Sequence, residues 1–160
     1  MNDYIGFYGE RIFERLISAL HTPNAPLFTP HFLGDKWPVV DYIVRLEGAP
    51  GQPYFFVQVK TTRRGCTPSG RLQARVTAEE MRALAACPGP TYIAGVDEPT
   101  GSCYIVSANG ERSAAMSTLP TAFPLDRNTR EALWQEVASY WAQRGPHAFT
   151  SRFVDPRGSR

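Results

Sequence analysis

The run Tyr54-Phe-Phe-Val-Gln-Val-Lys60 constrains this chain more than any other stretch. It is dominated by β-branched and aromatic residues in alternation, which reads as a strand over Tyr54–Thr62. Alternation sends Phe55, Val57 and Val59 to one face and Phe56, Gln58 and Lys60 to the other. Gln58 and Lys60 then project side by side, about 7 Å apart along the strand. A polar pair ending an apolar strand is costly when buried without partners. A compensating charge, or a metal ion and its water, is therefore expected beside it.

Val39–Leu46 reads as a second strand, with Asp41 at its start in Val39-Val-Asp-Tyr-Ile-Val44. Its carboxylate meets the same burial cost. Residues 47–53 form a loop rich in glycine and proline that pairs the two strands antiparallel. In that arrangement Asp41 faces Gln58 and Lys60. Upstream, Ile12, Phe13, Leu16, Ile17 and Leu20 recur at helical spacing, which predicts an amphipathic helix over 8–21, stopped by the prolines of 23–26. A short strand over 27–33 is weakened by Pro30, and another is read at 72–76.

Thr77-Ala-Glu-Glu80 is a capping box opening a helix to about Ala86. Strands at 91–96 and 103–106 form a hairpin around Asp97–Gly101. Asn128, with Glu131 as the third helical residue, reads as the N-cap of a helix to about Arg144 that buries Leu133, Trp134, Val137 and Trp141. The order helix, strands, helix, strands, helix predicts an α/β (α+β) fold, a mixed sheet flanked by helices. At 160 residues and 42% hydrophobic, one domain over 1–145 has enough apolar material for a core. Residues 146–160 form a basic tail.

Composition excludes several classes. Three cysteines with no CxxC pair argue against structural zinc and for reduced thiols. No apolar run reaches membrane-spanning length, and the N-terminus lacks a basic region followed by an apolar stretch, so a cytoplasmic location is expected. There is no phosphate-binding glycine loop, Ser107 lacks the glycines of a nucleophile elbow, and His21, His31 and His147 have no ligand spacing. Net charge is only +2, so a nucleic-acid partner has to be argued from local clusters. Arg63, Arg64, Arg71 and Arg75 form one just beyond Lys60, suited to phosphate contacts, and Arg152, Arg157 and Arg160 add to it from the tail.

An Asp on one strand followed by [Asp/Glu/Gln]-x-Lys on the next resembles the PD-(D/E)XK nuclease core. Gly6-Phe-Tyr-Gly9-Glu10 resembles the first helix of that superfamily, which often carries a metal-ligating Glu. With Asp41 and Phe56-Val-Gln-Val-Lys-Thr61, it is similar to a family of small bacterial nuclease-like domains. The resemblance covers about the first two-thirds of the chain. It implies a restriction-endonuclease-like sheet and a site for Mg²⁺ or Mn²⁺ held by Asp41, Glu10, Gln58 and the carbonyl of Val59. Lys60 would position the attacking water and stabilise charge on the phosphate. The implied partner is a nucleic acid, DNA ahead of RNA, with defence against foreign DNA as a setting. A homodimer or partner protein would add recognition and cut both strands of a duplex.

Two departures stand out. Gln58 replaces the commoner acid and brings no charge, a variant also familiar in methylation-dependent restriction nucleases. Val40 stands where Pro is common. Asp35, in Gly34-Asp-Lys-Trp, is the second choice for the acid. The alternative to an enzyme is a noncatalytic binding or interaction module that keeps the core without efficient metal binding.

Overall fold

The computed structural model describes residues 3–109, 114–144 and 151–153. The elements run α1 (Asp3–Ile17), β1 (Leu20–Thr22), β2 (Ala25–Pro26), β3 (Phe28–Phe32), a 3₁₀ turn (Gly34–Lys36), β4 (Tyr42–Leu46), β5 (Tyr54–Thr62), α2 (Ala78–Ala85), β6 (Thr91–Asp97), β7 (Ser102–Ser107) and α3 (Arg127–Gln143). β1 and β2 form a small hairpin, and the main sheet has five strands in the order β3-β4-β5-β6-β7. β5 and β6 are parallel and the other neighbours are antiparallel, so the expected mixed sheet is present. The parallel pair needs a crossover, and α2 lies in it.

Alternation along β5 splits the core in two. Phe55 and Val57 pack on one face with Phe13 and Ile17 of α1 and Leu133 and Val137 of α3. Phe56 packs on the other with Leu72 and Val76 and with Met81 and Leu84 of α2. Helices therefore flank the sheet on both sides. Among the described residues, no helix is long and apolar enough to cross a membrane.

Several expected boundaries move. The first helix starts earlier and stops at Ile17, and Leu20, expected inside it, is an exposed strand residue. β4 begins at Tyr42, because Val39 takes a positive φ of 69° that breaks the extended run. Pro30 is accommodated because β3 is an edge strand. Instead of a strand at 72–76 there are isolated bridges, Leu72 to Cys66 and Leu119, and Val76 to Met116. The N-cap of α3 is Asp126, which accepts from the Thr129 N–H, and not Asn128. Trp134 and Trp141 are half-buried, because their indole N–H groups reach out to the carbonyls of Glu47 and Tyr54. The cysteines are free, with Cys66 exposed, Cys87 intermediate and Cys103 buried.

The capping box forms as expected. The Glu80 N–H donates to Thr77 Oγ1 at 3.1 Å, and the Thr77 N–H donates to Glu80 Oε2 at 2.9 Å. Thr77→Ala is expected to cost about 1 kcal/mol. In urea unfolding this would lower the midpoint at an unchanged slope, and an unmoved midpoint would contradict it.

Candidate active site

The site begins with the contact between α1 and β5. Gly9 sits so close to Thr61 that an added Cβ would lie 1.7 Å from Thr61 Oγ1, whereas Gly6 has nothing within 4 Å. Only Gly9 of the Gly-x-x-Gly pair is therefore required by close approach. That seat fixes Glu10, the next residue, beside the sheet. The Tyr42 hydroxyl donates to the Glu10 carbonyl at 3.3 Å and to Glu14 Oε2 at 3.1 Å, tying α1 to the start of β4.

Asp41 stands one residue before β4. Its N–H donates to the Val57 carbonyl at 2.9 Å, and its Oδ2 accepts from the Val59 N–H at 2.7 Å. Asp41 thus holds both neighbours of Gln58 and lies across from it. Here the carboxylate replaces a strand carbonyl, because β5 has run past the first residue of β4. In a strand, a residue's N–H and C=O leave toward the same neighbour, so the Val59 carbonyl also opens toward Asp41.

Gln58 is 6% exposed, and its Oε1 is buried with no hydrogen-bond partner among the described residues. An orphaned oxygen of this kind costs about 1–3 kcal/mol unless something answers it. One step on, Lys60 Nζ donates to Glu80 Oε1 at 2.6 Å. Glu80 divides its carboxylate between Lys60 and the helix cap, so α2 and β5 are joined through a single side chain.

Electrostatics separate these carboxyls. Burial pushes Asp41 above the ordinary carboxylate range. The Val59 N–H and the Lys60 ammonium pull against that, Glu80 and Asp35 add to it, and the net shift is upward. Glu10 is also raised, by burial first and then by Asp41 and Asp35. Glu80 goes the other way. Burial opposes its ionisation, but hydrogen bonds from Lys60 and the Thr77 N–H outweigh it and hold the carboxyl low. Glu10 and Asp41 thus repel one another as anions, while Glu80 is already paired.

Asp41 links these residues: its Oδ2 holds the Val59 N–H, its charge reaches Glu10, the Lys60 ammonium reaches it, and the β4–β5 register sets it across from Gln58. Asp35 is exposed on the 3₁₀ turn, and its charge reaches both Glu10 and Asp41. Glu80 was not anticipated as a site residue. The capping box marked it as a helix-start acid, but nothing in the sequence aimed it at Lys60. Among the described residues, no three His, Cys, Asp or Glu side chains gather closely enough to hold a metal ion by themselves.

The arginine cluster is only half available. Arg63 Nε donates to Glu98 at 3.1 Å, and Arg71 donates to the hydroxyl and carbonyl of Thr118 at 2.8 and 3.2 Å. Arg64 and Arg75 are exposed and make no ion pair among the described residues. Arg152 lies over the Phe153 ring, and Arg157 and Arg160 fall outside the described residues. Comparison with protein-family models, curated proteins and solved structures finds no match for this chain.

Proposed function

We propose that the chain is a divalent-metal-dependent nuclease of the PD-(D/E)XK type, hydrolysing phosphodiester bonds in DNA or RNA. The observation that carries this reading is the buried, unpartnered Oε1 of Gln58 across from an Asp41 carboxylate that burial disfavours. A divalent cation answers both costs. The available donors are hard oxygens of the kind Mg²⁺ and Mn²⁺ take: Asp41, Glu10, Gln58 Oε1 and the Val59 carbonyl. When bound, such an ion lowers the pKa of a coordinated water and polarises the phosphate.

The chain's own residues do the positioning. The Val59 N–H orients the Asp41 carboxylate, and the Gly9 seat holds Glu10 near it. Lys60 spends one of its three N–H donors on Glu80, which leaves the ammonium aimed and two donors free for a phosphate oxygen. A fixed cation there stabilises charge that grows in the transition state. Because Gln58 is neutral, the metal would bind more weakly than at a site with an acid in that place.

The test is cleavage of a panel of labelled DNA and RNA with Mg²⁺, Mn²⁺ or a chelator. Cleavage that needs the metal is the expected result. A folded protein that cuts nothing and takes up no metal in a calorimetric titration would leave the noncatalytic binding module, which the neutral Gln58 favours. Phosphate contacts also make a prediction. Arg64→Ala and Arg75→Ala should each reduce the salt dependence of nucleic-acid affinity by about one unit of slope. Arg71→Ala, whose guanidinium is committed to Thr118, should reduce it less, and equal slopes would contradict this.

A further inference from the structure

Helix α1 has a second face that the core does not use. Gly9, Phe13 and Ile17 point inward, while Tyr4, Phe7, Tyr8, Arg11 and Arg15 share the outward side. Tyr4 is 77% exposed, Phe7 49% and Tyr8 51%. Single exposed apolar side chains are ordinary, but aromatic rings clustered on one helix face mark a binding surface. The Phe7 and Tyr8 rings lie edge to face with centroids 6.0 Å apart, and the Arg11 guanidinium sits 5.0 Å from the Phe7 centroid. Arg11 also makes a long contact to Glu14 at 3.9 Å, which leaves most of its donors open.

We propose that this face is a stacking platform for single-stranded nucleic acid, leading unpaired bases past Glu10. The inference rests on the nuclease reading, and it names the substrate class. Exposed rings stack on any base, and interleaved arginines answer the backbone phosphates. A duplex keeps its base faces hidden in the stack, so rings on a helix surface favour a single strand. The outward side between Tyr4 and Arg15 carries two arginines, and Glu14 at its edge answers only one of them through the long contact to Arg11, so the face stays net positive and charge favours a polyanion over a second copy of the same face. Glu10 lies three residues from Phe7, within one turn, so a strand held on the rings passes the carboxylate cluster.

The test is fluorescence anisotropy in chelator, where no cleavage occurs, using labelled mixed-sequence DNA as a single strand and as a duplex, and RNA of the same sequence. Wild type should prefer the single strands. Phe7→Ala and Tyr8→Ala should each weaken that binding about 10-fold, leaving weak duplex binding unchanged. These side chains are exposed, so the variants should fold, with circular dichroism as the control. Equal affinity of wild type and double variant for single strands would overturn the proposal. So would a concentration-dependent dimer that the double variant abolishes. Ring-dependent binding without metal-dependent cleavage would sustain the platform and remove the nuclease reading. Metal-dependent cleavage indifferent to both rings would do the reverse.

Discussion

Asp41→Asn is expected to abolish cleavage, by about 10³-fold or more, while making the protein more stable. The two effects share one cause. The Asp41 carboxyl is raised by burial, with Glu80 and Asp35 adding to it, so its ionised form destabilises the fold at neutral pH. Asn keeps an oxygen to accept the Val59 N–H and removes the charge. Sign and window follow from the upward shift. The penalty is fully present above the folded pKa and disappears as pH falls through it toward the unfolded value. The melting temperature of Asp41→Asn should therefore exceed wild type by a few degrees at neutral pH and converge with it in acid. Saturating Mg²⁺ or Mn²⁺ should raise the wild-type melting temperature and leave the variant unmoved. Lys60→Ala separates chemistry from stability. It should lose comparable activity but melt lower than wild type, because Glu80 stays half-enclosed without its cation. Full cleavage by Asp41→Asn, or a lower melting temperature at neutral pH, would refute the assignment.

What the sequence made legible depended on whether the deciding interaction was local. β5 could be read because alternation is a property of the strand itself, and the capping box because its partners are three residues apart. Asp41 opposite Gln58 followed from a short loop and antiparallel pairing. Long-range partners were not visible. Lys60 meets Glu80 across 20 residues and Arg63 meets Glu98 across 35, through packing that no local pattern encodes. The positive φ at Val39 was hidden by a β-branched side chain that favours strand. The first turn of α1 was missed because Tyr4, Phe7 and Tyr8 lie on its solvent side, where an apolar stripe argues for the wrong face. Asn128 lost the cap of α3 to Asp126, since either residue type can cap and the choice depends on where the preceding chain enters the helix.

Among the described glycines, Gly9→Ala should be the most disruptive alanine substitution. The new Cβ would lie 1.7 Å from Thr61 Oγ1 and 2.7 Å from Thr61 Cβ. Rotating the Thr61 side chain moves the hydroxyl but not the Cβ, so α1 itself must lift from β5. Overpacking of this kind costs about 1–3 kcal/mol, here at a seat that also sets Glu10 beside Asp41. Cleavage should consequently fall even under conditions where the variant remains folded. Gly6→Ala, three residues earlier on the same helix, meets nothing within 4 Å. It should stabilise by about 0.5–1 kcal/mol, because alanine restricts the unfolded chain and suits a helix interior. Thr61→Gly removes the obstructing side chain, so in the Gly9→Ala background it should recover stability that it would cost on its own. Urea unfolding of the two single variants and the double variant measures that coupling. A Gly9→Ala protein as stable as Gly6→Ala would mean that α1 is not seated on Thr61, and that the placement of Glu10 has another cause.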